Sequence, residues 1–210
     1  MEALAIGDLL ITRSGEARPI RWIGRRHVDC RRHPNPDRVW PVRVRAGAFD
    51  ERVPQSDLWL SPDHAVFTGG VLIPIRYLIN GDTIAQVAQD DVTYYHVELP
   101  EHDLLLAEGL PAESYLDAGD RANFDNAAPS LRLFPDFATR GPASDALWEC
   151  HGRACLVTHG PKLDAARRLV HSRASRQRSA SREDGVTMAR SAGTRPAGTG
   201  SAGTGPEQAA

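Results

Sequence analysis

An all-β domain of short strands, followed by a short C-terminal helix and a disordered tail, is the fold class this sequence predicts. Three observations carry that prediction. Through the first 125 residues, short apolar or alternating runs follow one another, each bounded by turn chemistry such as Ser14-Gly15, Gly69-Gly70 or Asn80-Gly81. Convincing helical periodicity is confined to Pro161–His171, where a proline suits the first turn and Leu163, Ala166, Leu169 and Val170 share a face. From Ser172 onward the chain loses its core residues and passes into Ser, Ala, Gly, Thr and Pro, too poor in apolar surface to offset ordering entropy.

The strands can be taken in order. "DLLITRSGEARPIRWIG" is an apolar run, a Ser14-Gly15 turn and a second β-prone run with Trp22, hence a hairpin. "VWPVRVRAGAF" alternates Val42 and Val44 against Arg43 and Arg45, so period two puts valines on one face and arginines on a solvated one. In "LWLSPDHAVFTGGVLIPI" the pair Gly69-Gly70 supplies the positive φ of a tight two-residue turn. Asn80-Gly81, Asp90-Asp91 and Pro100-Glu101 then separate further strands, giving six to eight in all. Beyond "ESYLDAGDRANF", which carries a short helical turn, "ASDALWEC" is a possible second short helix. The expected division is a β domain over 1–125, an extension with short helices over 126–171, and a disordered tail over 172–210.

Composition bounds the function. With 210 residues and 41% hydrophobic content there is enough for one domain with a core. A formal net charge of −2 argues against a nucleic acid or anionic membrane partner for the chain as a whole. No apolar run approaches a membrane span, and "MEALAIGDLL" has no basic region or cleavage signal, so a soluble chain without its own export signal is expected. Cys30, Cys150 and Cys155 are too few for a disulfide framework.

Two stretches carry residues capable of chemistry. In "LSPDHAVFTGG", His64 stands beside Asp63 and three residues after Ser61, at the mouth of a hairpin. An imidazole there can give or take a proton near neutral pH, and the hydroxyl can orient a carbonyl. In "YYHVELPEHDLLLAEG", His96 lies on a strand and His102-Asp103 follows a proline turn. The spacing lets two strand ends converge. Each His and Asp taken alone is equally an ordinary loop residue.

The ordered blocks "IGDLLIT" with "RPIRWIGRR", then "LSPDHAVFTGGVLIP", then "YYHVELPEHDLLLAEGLPAESYLDAGDRANF" resemble a Hint domain, the all-β self-processing module shared by Hedgehog C-terminal regions and inteins. The likeness runs over roughly residues 2–124 and points to a bacterial subfamily. Ser61 stands in the Thr place of the family's Thr-x-x-His block, His64 matches its His, and His102-Asp103 resembles the His followed by Asn or Asp of the late strand block.

The resemblance implies that a Cys or Ser at the start of the domain attacks the preceding peptide carbonyl to give a thioester or ester. It implies further that His64 protonates the departing nitrogen and Ser61 holds the carbonyl, with Asp63 third as a partner that orients the imidazole. No cofactor is implied, and the partner is an upstream polypeptide joined at the cleavage junction. The family begins with its nucleophile and a short strand and turn, whereas this sequence reads Met1-Glu2-Ala3-Leu4. The expectation is therefore a nucleophile missing with about 20 preceding residues, and a chain inert as it stands. Where inteins carry a terminal His-Asn pair this sequence has "LPAESY", so cleavage or ester transfer is implied rather than full splicing.

Two readings of other classes stand beside this one. A metal-binding module would use His27-x-x-Cys30-x-x-His33 or Cys150-His151 with Cys155, although neither has the paired spacing of a closed zinc site. A non-catalytic scaffold would keep the β fold and bind an anionic partner through Arg167–Arg182, the alternative being a solvated helix end.

Overall fold

A computed structural model describes residues 3–117, 119–127 and 152–192, with side chains up to 180. Eleven short strands lie among them. These are β1 (Leu9–Ile11), β2 (Ala17–Pro19), β3 (Trp22–Asp29), β4 (Val42–Val44), β5 (Leu58–Leu60), β6 (Ala65–Thr68), β7 (Val71–Pro74), β8 (Ile84–Gln86), β9 (Asp91–Glu98), β10 (Leu104–Ala107) and β11 (Leu110–Glu113). The count exceeds the expected six to eight because runs such as "RPIRWIG" divide, here into β2 and the start of β3 around Ile20-Arg21. Helix α1 spans Pro161–Ala192.

The turns fall where the sequence places them. Gly15 has a positive φ between β1 and β2, which pair from Leu9 opposite Pro19 to Ile11 opposite Ala17. Gly69 and Gly70 both have positive φ and close the β6–β7 hairpin, the mirror-image turn whose twist suits adjoining strands. The side-chain oxygen of Asn80 accepts the amides of Asp82 and Ile84, organising the entry to β8.

Pairing divides the strands into four sheets: β1-β2, β10-β11-β6-β7, β3-β9 and β5-β4-β8. The main core forms where Val42 and Val44 of β4, Val66 of β6, Val71 and Ile73 of β7, Ile84 of β8 and Leu110 of β11 meet. Arg45, just past β4, is exposed, while Arg43 within it is partly buried. On the other side of the four-stranded sheet, Ala65, Leu72 and Leu104 pack with Leu156, so β6 and β7 are covered on both faces. Strands buried on two sides make a stiff support, and the segment ahead of β6 inherits that stiffness.

The ribbon β3-β9 is the longest pairing, eight residues against eight, from Trp22 opposite Glu98 to Asp29 opposite Asp91. The other edge of β3 is met by a segment following the 3-10 turn Arg121–Asn123. Asn126 accepts the Arg25 amide and donates to the Ile23 carbonyl, and Asp125 accepts the His27 amide and pairs with Arg26 at 2.7 Å.

Helix α1 begins at Pro161 as expected, and Leu163, Ala166 and Val170 are buried in the main core. Leu169 departs from the expected face and is 41% exposed. The helix also continues past His171 to Ala192, through residues expected to be disordered. Arg, Ala and Gln are good helix formers, so propensity prolongs the helix where apolar periodicity ends. By contact density the chain divides after Ala174, and residues 175–192 are helical in their own right. The possible helix around "ASDALWEC" and the last 18 residues of the tail, 193–210, lie outside the described residues. No described helix is long and apolar enough to cross a membrane.

Candidate functional site

The Ser61-Pro62-Asp63-His64 segment is a tight turn, closed by the His64 amide donating to the Ser61 carbonyl at 3.0 Å. It is clamped from the following 3-10 turn, Ile75–Leu78, whose first two amides donate to the His64 and Pro62 carbonyls at 3.0 Å each. The turn is also held electrostatically. Arg76 meets the carboxylate of the buried Asp63 at 2.7 Å and lays its guanidinium over the Tyr77 ring. Asp63 therefore anchors Arg76 to the turn. Ser61 is 3% exposed, sealed beneath the turn.

His64 faces a second histidine. Its ring centroid lies 5.4 Å from that of His96 on β9, with the planes tilted by 50°. His96 stands opposite Gly24 in the β3-β9 ribbon, and the absence of a side chain there shapes its surroundings. A Cβ at Gly24 would fall 2.4 Å from the Trp22 ring and 2.7 Å from that of Phe124. In the space left free, Phe124 packs edge-on at 5.2 Å from His96, and Tyr115 stands at 6.1 Å. Trp22 packs against Tyr115 and Phe124 at 5.3 and 5.2 Å. Arg121 covers this cluster, with its guanidinium 4.6 Å above the Trp22 ring and paired to Glu98 and Asp117.

This setting fixes the charge of His96. Burial, and secondarily the positive charge His64 can carry, push the His96 pKa down to about 3, so His96 is neutral at physiological pH. Burial and the short hydrogen bond to Asp120 raise the Tyr115 phenol above its ordinary range, so it stays neutral too.

One segment ties the two histidines together. Ala112 pairs with Val66 of β6, and the Glu113 carboxylate accepts the Ala65 amide, next to His64, at 2.8 Å. The Ser114 hydroxyl accepts the Asp103 amide at 2.9 Å, and the Tyr115 amide donates to the carbonyl of Val97, next to His96, at 2.7 Å.

His102 and Asp103 form a second network. His102 is buried and its Nδ1 accepts the Arg153 amide at 3.0 Å. Asp103 accepts the Leu104 amide and has Arg153 at 3.7 Å and Arg18 at 3.9 Å. Ser61, Asp63 and His64 thus stand together, joined by His96 and by Trp22, Tyr115 and Phe124, which motif spacing alone does not single out. The signal for His96 was its strand: "RWIGRRHVD" and "DVTYYHVEL" are two β-prone runs of matching length whose pairing sets Gly24 against it.

The described cysteines lie in other settings. Cys30 is buried among Val28, Val39 and Tyr94, and burial with the charges of Asp29, Asp91 and Asp90 pushes its thiol up. Cys155 is exposed, its carbonyl accepting the Leu72 amide. In the His27, Cys30 and His33 set, His27 approaches Thr93 and His33 turns to the Asn35 carbonyl. Among the described residues no cluster of three or more metal-ligating side chains forms. Cys150 and His151 lie outside the described residues.

An all-β chain with a histidine turn braced against a histidine-bearing ribbon is the class of protein these observations define. The Hint domain family model matches residues 1–119, and the chain belongs to that family of self-processing modules, which sit at a junction with flanking polypeptide. A crystal structure of the MchDnaB-1 intein is similar with a TM-score of 0.36 and 15% identity, covering 53% of this chain and 86% of that one. No curated protein matches.

Proposed function

We propose that this domain carries out an acyl shift at the junction with an upstream polypeptide, with His64 as the general acid. A thiolate or alkoxide attacks the carbonyl carbon of the junction peptide, the C–N bond breaks as the C–S or C–O bond forms, and the nitrogen leaves with the proton of the His64 imidazolium. The amide becomes a thioester or ester and an amine is freed, with no co-reactant. Water or a small nucleophile then releases the upstream protein. Ser61, buried at the base of the same turn, holds the junction carbonyl, and Asp63 acts through Arg76 by fixing the turn. His102 and Asp103 take a structural part at the β9–β10 corner.

The observation that carries this reading is the placement of His64 against a neutral His96 on a turn clamped from two sides. A neighbour that refuses a proton leaves His64 as the group that can deliver one. Burial of Cys30 disfavours it as the nucleophile. The test is a fusion in which a reporter and a Cys-led segment precede residue 1. Thiol-dependent release of the reporter is expected, slowed about 100- to 10,000-fold by His64→Ala. Equal release by the variant, or an inert fusion, overturns the reading.

A further inference from the structure

The chain beyond residue 119, where the family match ends, lies against the elements that carry His64. At Cys155–Val157 it runs beside β7: the Leu72 amide donates to the Cys155 carbonyl at 3.0 Å, and the Val157 amide donates to the Leu72 carbonyl at 2.8 Å. Helix α1 follows. Its Leu163, Ala166 and Val170 share the main core with Ile75 and Leu78 of the 3-10 turn that clamps the Ser61–His64 segment. Two polar contacts add to this packing. Arg167 donates from Nε to the Tyr77 carbonyl at 2.9 Å, and the carboxamide of Asn80, just past the 3-10 turn, stands 3.5 Å from the Val170 carbonyl.

We infer that α1 positions the His64 turn, with Arg167 as the positioning residue that transmits its hold through Ile75–Leu78. The link is short, and every step of it is a direct contact. At its far end the 3-10 turn is held by Arg167 through the Tyr77 carbonyl. At its near end the amides of Ile75 and Arg76 donate to the His64 and Pro62 carbonyls at 3.0 Å each, and the Arg76 guanidinium meets Asp63 at 2.7 Å. So short a helical turn does not hold its place by itself, so its position is set by what meets it at each end. Arg167 also has Asp164 of its own helix at 4.0 Å, and its side chain is 47% exposed, so it adds little to the core that Leu163 and Val170 fill. Its contribution is to place. An acid works only where it can reach the departing nitrogen, and a displacement of about 1 Å costs a reaction about 100-fold. The inference rests on the acid role given to His64 for that consequence alone.

Amide hydrogen exchange in the full chain is the test, and it needs no cleavage. The amides of His64, Ile75 and Arg76 close and clamp the turn, so their exchange reports its opening. In Arg167→Ala these three should exchange about 10-fold faster, as expected for the loss of a hydrogen bond from a charged donor, while amides of the β3-β9 ribbon keep their rates. Arg168→Ala removes a like charge from an exposed position on the same helix and should move neither set. Unmoved turn amides in Arg167→Ala overturn the inference, as does equal acceleration of turn and ribbon, which would make Arg167 a general stabiliser. Should Arg167→Ala fail to fold, Arg167→Gln is read in the same way. In a cleaving fusion, Arg167→Ala should slow release of the reporter about 10- to 100-fold, and release at an unchanged rate counts against the positioning. Selective exchange with an inert fusion would remove the acyl shift and leave the hold of α1, and a cleaving fusion with unmoved amides would do the reverse.

Discussion

His96 illustrates how a single side chain is set by its surroundings. Its ring stands across the ribbon from Gly24, against Phe124 and Tyr115, and the cost of charging it there drives its pKa from 6.5 to about 3. Below pH 6.5 the unfolded chain therefore takes up a proton that the folded chain refuses, so this contribution is complete above 6.5 and is lost progressively toward 3. The slope approaches about 1.4 kcal/mol per pH unit in the upper part of that window, where carboxylates are still ionised. Urea unfolding of the unaltered protein and of His96→Gln between roughly pH 5 and 7 checks this. The variant should lose stability less steeply on acidification, and parallel curves would mean that His96 titrates normally in the folded state.

At the scale of the element, the β3-β9 ribbon owes its shape to Gly24. Its packing against two aromatic rings leaves no room for a methyl group. Gly24→Ala should cost about 1–3 kcal/mol by forcing Trp22 and Phe124 from their places. A denaturation midpoint equal to that of the unaltered protein would show that the rings yield freely. This element also marks where sequence reasoning stops. The hairpin at Gly69-Gly70 was legible because positive φ is a local demand, and His64 because its turn lies within four residues. The meeting of His64 and His96 joins positions far apart in sequence through a cross-strand register, which no local pattern encodes. The ion pair of Asp63 with Arg76 is likewise made across the turn rather than with a neighbour in sequence.

For the molecule as a whole, α1 supplies a wall of the main core. Leu163 is 2% exposed and Leu169 is 41% exposed, so the two leucines of one helix are expected to behave differently. Leu163→Ala should cost about 2–5 kcal/mol through lost burial and a cavity. Leu169→Ala should stay within about 0.5 kcal/mol. Chemical denaturation separates them, and equal losses would mean that the helix does not sit on the sheets as described. The continuation of α1 beyond Ala174 was hidden from apolar periodicity because it is written in helix propensity alone.

The segment along β3 has a consequence for the company such a domain keeps. Strand edges recruit extended neighbours because they offer a regular row of amides and carbonyls, and a module joined to another polypeptide always has one within reach. On β3 that row is occupied at Ile23, Arg25 and His27 by the side chains of Asp125 and Asn126. Carboxylate and carboxamide groups satisfy the edge without prolonging it into a further strand. A foreign chain emerging beside this domain, still unfolded, finds no template there on which to aggregate.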